Sequence, residues 1–264
     1  MRSNQWFQPT HSLPLRSRLR SAEPRRWIAL MALRFLVVLN LAFGLAAPAF
    51  ASGGSPWTAE MQQWMTYYYL DPQPQHAVAY LKPLNEALKA SKGRSLADEA
   101  NRGGLRSFYA KVFAQSDATV RELEEVLAAQ PEDIRAFALE ALRRCGTPEC
   151  LRVAGASAAA PDAGANTEQL DDAWASFMAT GDERYVEEVA SVLPLLQVRG
   201  DPSRLVVGGA AQWSLASNAY QHSRVLDVCR RLAATAEPDT AAILQEIVAS
   251  AEAERLSSPP PEPR

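Results

Sequence analysis

Apolar residues recur every three to four positions through most of the chain, the spacing that gives an α-helix one greasy side. Val120, Leu123 and Leu127 follow Asp117, a residue suited to cap a helix N-terminus. Ile134, Phe137, Ala138, Ala141, Leu142 and Cys145 follow Pro131, which suits a first turn. Val225, Leu226, Val228, Cys229 and Leu232 form another such face, and Ile243, Leu244, Ile247, Val248 and Ala251 the last. No alternating run of strand period competes. Leu205-Val206-Val207 is short and ends at Gly208-Gly209, so it reads as a loop or as the approach to the helix that carries Trp213.

The helices come in pairs. Phe108 is followed by Val120 and Leu123, Trp174 by Val186 and Val189, and Trp213 by Val225 and Val228, at offsets of 12 and 15 each time. Trp64 precedes Val78 and Leu81 by 14 and 17, the extra length lying in Asp71-Pro72-Gln73-Pro74. Short polar turns separate the members: Gln115-Ser116-Asp117, Thr180-Gly181-Asp182 and Gln221-His222-Ser223. Such a unit folds back on itself and places the aromatic against the β-branched residue. One pair cannot cover its own apolar side, so neighbouring pairs must stack. The predicted fold is all-α, antiparallel helix pairs stacked as an irregular, solenoid-like array. Over most of residues 57–255 the chain resembles the α-helical repeat class that includes tetratricopeptide and HEAT arrays. It departs from the tetratricopeptide pattern of Trp, Leu-Gly, Tyr, Ala and Pro at fixed places, and the units start at the irregular positions 64, 108, 174 and 213.

Three segments stand outside this pattern. Residues 1–51 have the layout of a secretory signal: basic residues, an apolar run from Phe35 to Leu45 broken only by Asn40, then Ala49-Phe50-Ala51 as a small-residue cleavage site. The run is shorter than the ~20 apolar residues of a membrane span and ends in Pro48, so no stable span is expected after cleavage. Met31 would open a compact signal by itself and is the expected true start. Residues 154–166 (AGASAAAPDAGAN) read as a linker or mobile loop between helical halves at 52–153 and 167–255. Residues 256–264 (LSSPPPEPR) form a Pro-rich tail that cannot stay helical through Pro259-Pro260-Pro261.

The leader also conceals the charge of the rest. Residues 1–51 hold seven of the 27 basic side chains and one of the 30 acidic ones, so the remainder carries 20 against 29, net −9 with His neutral. An acidic body repels phosphate backbones, which argues against a nucleic-acid partner. The expected compartment is the periplasm or the exterior. There Cys145 and Cys150 are placed to form a disulfide across Gly146-Thr147-Pro148-Glu149. A zinc site is the rival reading of these thiols, and it lacks further Cys or His at ligand spacing; Cys229, on an apolar helical side, reads as a buried small hydrophobe.

Candidate chemistry is sparse. No Walker loop, dinucleotide glycine fingerprint, nucleophile elbow or H-E-x-x-H helix occurs, and no cofactor or metal is predicted. His76 and His222 each lie between the two helices of a pair, where repeat geometry can gather turns along one edge. The acidic pairs Glu124-Glu125, Asp171-Asp172 and Glu187-Glu188 point ~100° apart on a helix and read as solvated. Trp57, Trp64, Tyr67, Tyr68 and Tyr69 crowd one helix, and three consecutive Tyr cannot all face one core. Trp64, Tyr67, Tyr69, His76 and His222 are therefore the candidate binding residues, since exposed Tyr and Trp favour contact surfaces. The expected function is an exported, non-catalytic helical scaffold or binding protein of the bacterial cell envelope, with a protein or peptide partner. A cell-envelope hydrolase using His76 or His222, and an inhibitor or immunity-type protein, are the alternatives.

Overall fold

A computed structural model describes residues 58–100, 103–155, 157, 167–198 and 200–260. The leader with Met31, Trp57, nearly all of the linker and residues 261–264 lie outside these residues. The described residues form twelve α-helices and no strand: α1 (Ala59–Tyr67), α2 (His76–Lys92), α3 (Leu96–Ala100), α4 (Gly103–Phe113), α5 (Asp117–Leu127), α6 (Glu132–Cys145), α7 (Pro148–Ala154), α8 (Thr167–Thr180), α9 (Arg184–Ser191), α10 (Pro202–Gln221), α11 (Ser223–Ala233) and α12 (Pro238–Ser257). Single 3₁₀ turns follow α1 (Tyr68–Leu70) and α9 (Leu193–Gln197). The chain is all-α.

Local chemistry sets the helix ends. Thr58, Ser116 and Thr147 accept from the backbone N–H groups of Met61, Thr119 and Cys150, capping α1, α5 and α7. The cap of α5 is thus Ser116 rather than Asp117, which opens the first turn. Cys145 and Cys150 are disulfide-bonded with Cα atoms 6.2 Å apart, joining the end of α6 to the first turn of α7.

Residues from α1 to α12 contribute to one contiguous core. At its middle lies α4, packed against α3, α6 and α8. Phe108, Tyr109, Val112 and Phe113 of α4 are all fully buried. Of the paired residues, Phe108, Val120 and Leu123 are buried, as are Trp174, Val186 and Val189. Trp213 breaks the pattern. It is only partly covered, because α10 buries a strip of small residues, Gly208, Ala211, Ser214, Asn218 and Ala219, with Val207 and Leu215. Trp213, two positions beyond Ala211, lies ~200° around the helix from it.

Leu205-Val206-Val207-Gly208-Gly209 is helix as well, inside α10. A Cβ at Gly208 would come within 2.8 Å of the Leu196 backbone N. The glycine therefore permits α10 to lie against the 3₁₀ turn that contains Leu196, and close packing there offsets the helix propensity lost.

Two polar clusters tie the helices further. Asn85 of α2, fully buried, accepts from the Leu96 N–H at 2.9 Å and donates to Asp133 of α6 at 2.9 Å. Asp133 also meets Lys89 at 2.7 Å. Asp172 of α8 accepts from the Ser107 hydroxyl at 2.6 Å and pairs with Arg144 at 2.5 Å, joining α8 to α4 and α6.

Candidate functional site

The three tyrosines at the end of α1 divide as helical rotation requires. Tyr68 turns inward and is fully buried, while Tyr67 and Tyr69 flank it, half-buried. Leu70 follows at 51% exposure, one of few large apolar side chains in that state.

Tyr67 and Tyr69 close on His222, which lies between α10 and α11 and is 1% exposed. The Tyr69 hydroxyl is 3.1 Å from His222 Nδ1, and the rings of Tyr67, Tyr69 and Phe177 lie 5.3, 5.7 and 6.1 Å from the imidazole by centroid. Gln221 donates through Nε2 to the Tyr67 hydroxyl at 3.3 Å. Arg224 donates to the Gly181 carbonyl at 2.9 Å, and its guanidinium stands 5.3 Å from the Tyr69 ring centroid, within cation–π range. Gly181, at φ 68°, ends α8 in the left-handed region, and a Cβ there would meet both Arg224 and Tyr69. The turns after α1, α8 and α10 thus gather at one place.

Burial makes this cluster electrically quiet. It pushes the His222 pKa down to about 3, with Arg255 adding a smaller effect of the same sign. The imidazole is neutral at physiological pH, and its Nε2 is buried without a hydrogen-bond partner. Desolvation likewise raises the Tyr67 and Tyr69 hydroxyls, opposed at Tyr67 by the Gln221 hydrogen bond and at Tyr69 by Arg224. The arrangement offers two partly exposed aromatic rings, a neighbouring exposed Leu and neutral hydrogen-bonding groups.

Tyr67, Tyr69 and His222 therefore converge, and Trp64 and His76 do not join them. Trp64 is in the core, its Nε1–H donating to the Gln73 carbonyl at 3.1 Å and its ring 5.2 Å from Phe108 and 5.1 Å from Tyr80. His76, the first residue of α2, is partly buried with its ring 5.2 Å from Tyr80. Sequence reasoning missed Phe177, Gln221 and Arg224. The signal available for them was positional: Thr180-Gly181-Asp182 and Gln221-His222-Ser223 are equivalent turns in their helix pairs.

Elsewhere, Asp171 and Asp172 are not on a solvated face. Burial, and then the neighbouring Asp172, Glu168 and Glu99, raise the Asp171 pKa to about 7. An open groove of about 850 Å³ lies at the start of α10, lined by Leu196, Val198, Asp201, Pro202, Leu205 and Asp239. With 20 residues, α10 spans ~30 Å, so this groove and His222 lie at opposite ends of it. Among the described residues no cluster of three or more His, Cys, Asp or Glu is arranged to hold a metal ion, and no helix is long and apolar enough to cross a membrane. The chain matches no protein-family model, and no curated protein or solved structure is significantly similar to it.

Proposed function

We propose that this chain is an exported, non-catalytic helical scaffold of the bacterial cell envelope that binds a protein or peptide partner at the rim formed by Tyr67, Tyr69 and Leu70. One observation carries this reading: two partly exposed tyrosines, both in contact with the buried His222, stand beside a half-exposed leucine. Aromatic rings give large contact area with few rotors to freeze, which favours them in recognition. The bonded Cys145–Cys150 pair fits an oxidising compartment, as does the signal-like leader. The hydrolase alternative is less well supported at His222. A general base must reach the proton that it abstracts, whereas this imidazole is enclosed and its hydrogen bond goes to a tyrosine.

Site-specific photocrosslinking in intact cells tests the reading. A photoreactive residue at Leu70 should trap a discrete adduct in the envelope fraction. The same residue at Leu256, 88% exposed on the last turn of α12, is the control and should trap none. Equal patterns at the two positions, or no adduct at Leu70, would remove the rim from consideration.

A further inference from the structure

The contact between Tyr67, Tyr69 and His222 spans more than 150 residues of sequence and joins the chain's first described helix to its C-terminal ones. The hydrogen bonds Tyr69–His222 and Gln221–Tyr67 both join neutral groups. Two cations border the cluster: Arg224, which reaches across Tyr69 from α11, and Arg255 of α12, which donates to the Ala219 carbonyl at 2.9 Å and acts on the imidazole by its charge. Three carboxylates on the surrounding elements are engaged elsewhere. Asp182 in the turn after α8 pairs with Arg184 at 3.0 Å, Glu183 with Arg231 at 2.9 Å, and Glu252 of α12 with Arg230 at 2.6 Å. From α1 and its 3₁₀ turn the facing groups are the Tyr67 and Tyr69 hydroxyls; from α8 it is the uncharged Phe177 ring.

We infer that Tyr67, Tyr69 and His222 form an acid-released latch between the end of α1 and the α10–α11 turn. A proton on His222 would place a cation in a dry aromatic box beside two guanidinium groups, with no carboxylate hydrogen-bonded to it. The burial of that charge disfavours the closed contact. Opening the box lets the imidazole reach water and take the proton at its ordinary pKa of 6.5. The sign follows. The closed state holds its proton less tightly than the open one, so closure is fully favoured above pH 6.5 and weakens as pH falls towards the closed-state value of about 3. Each pH unit in that window favours opening ~10-fold, so the opening constant rises by on the order of 100-fold between pH 7.5 and 4.5. The latch goes beyond the proposed partner rim and does not depend on it, because it is a property of the free chain.

Hydrogen exchange read by mass spectrometry, corrected for intrinsic rates, tests this on the whole protein. Peptides covering 66–72 and 219–226 should lose protection on the order of 100-fold between pH 7.5 and 4.5. Peptides from α4 and α6 should change far less. His222→Gln, which cannot take the proton, should flatten the response at both segments. Tyr69→Phe keeps the box and its histidine, so it should loosen the latch at both pH values while preserving the ratio between them. Unchanged protection in the wild type, loss spread evenly over α4 and α6, or an undiminished response in His222→Gln would each overturn the latch. Should His222→Gln not fold, the Tyr69→Phe ratio decides: a pH-independent latch in that variant overturns the proposal equally.

Discussion

At the scale of single residues, the tryptophans show how far spacing alone reaches. Trp174 and Trp213 occupy equivalent positions in their helix pairs, yet Trp174 is buried and Trp213 only partly so. Trp174→Ala should lower unfolding free energy by ~3–5 kcal/mol, the usual range for removing a buried large aromatic, and Trp213→Ala by about 1–2 kcal/mol. Urea unfolding monitored by circular dichroism gives both values, and equal losses would put Trp213 in the core. A second residue-scale effect comes from Asp171, whose folded pKa of about 7 lies above the ordinary 3.8. The folded state binds this proton more tightly than the unfolded one. Its contribution is therefore fully present below pH 3.8 and is lost as pH rises through 7. Asp171→Asn should remove that loss and stabilise the protein at pH 8 by about 1–3 kcal/mol after discounting for solvent screening. At pH 4 the variant and wild type should nearly coincide. A variant less stable than wild type at pH 8 would mean that the carboxylate is compensated where it sits.

At the scale of elements, much is legible in the sequence. The three-to-four spacing fixed the helical class, and the paired offsets located α4–α5 and α8–α9, whose facing residues are buried. What escaped the sequence did so for two physical reasons. A helix interior can hold Gly-Gly where a neighbouring backbone needs the room, as Gly208 does against Leu196, so breaker residues misled the reading of residues 205–209. Long-range convergence also leaves no local trace. Nothing within five residues of Tyr69 announces His222, and nothing in Asp171-Asp172 announces Ser107 and Arg144. The α6–α7 corner shows a local device that the sequence does reveal. Its Cys145–Cys150 bond closes a loop of few residues, worth about 2 kcal/mol in chain entropy. Cys145→Ser with Cys150→Ser should lower stability by that amount, and dithiothreitol added to wild type should match it. The salt-bridged Arg152 of α7, held by Glu124 and Glu149, should then exchange partners more freely. A doubly substituted protein as stable as the oxidised one would show that the capped turn at Thr147 suffices.

At the scale of the whole molecule, the question is whether the segments on either side of residues 154–166 unfold together. Their shared contacts argue that they do. Helix α4 packs on α8, Gln115 donates to the Ala179 carbonyl at 2.8 Å, and Asp172 collects Ser107 and Arg144 from the other side. Helix α8 itself buries Trp174 and Phe177, and rings of that size are each worth ~2–3 kcal/mol of burial. The buried residues of both sides form one contiguous cluster, so a single transition is expected. Cys229 supplies the probe. Its thiol is buried in α11, and burial pushes its pKa up to about 12, so it reacts only when the C-terminal helices open. In urea, Cys229 labelling and far-ultraviolet circular dichroism should share one midpoint. Asp172→Ala should move both downward together, by about 1–3 kcal/mol, because one acceptor serves helices from both sides. A labelling midpoint well below the dichroism midpoint would mean that α8–α12 open while α2–α7 stay folded, and the contiguous core would then be two cores in contact.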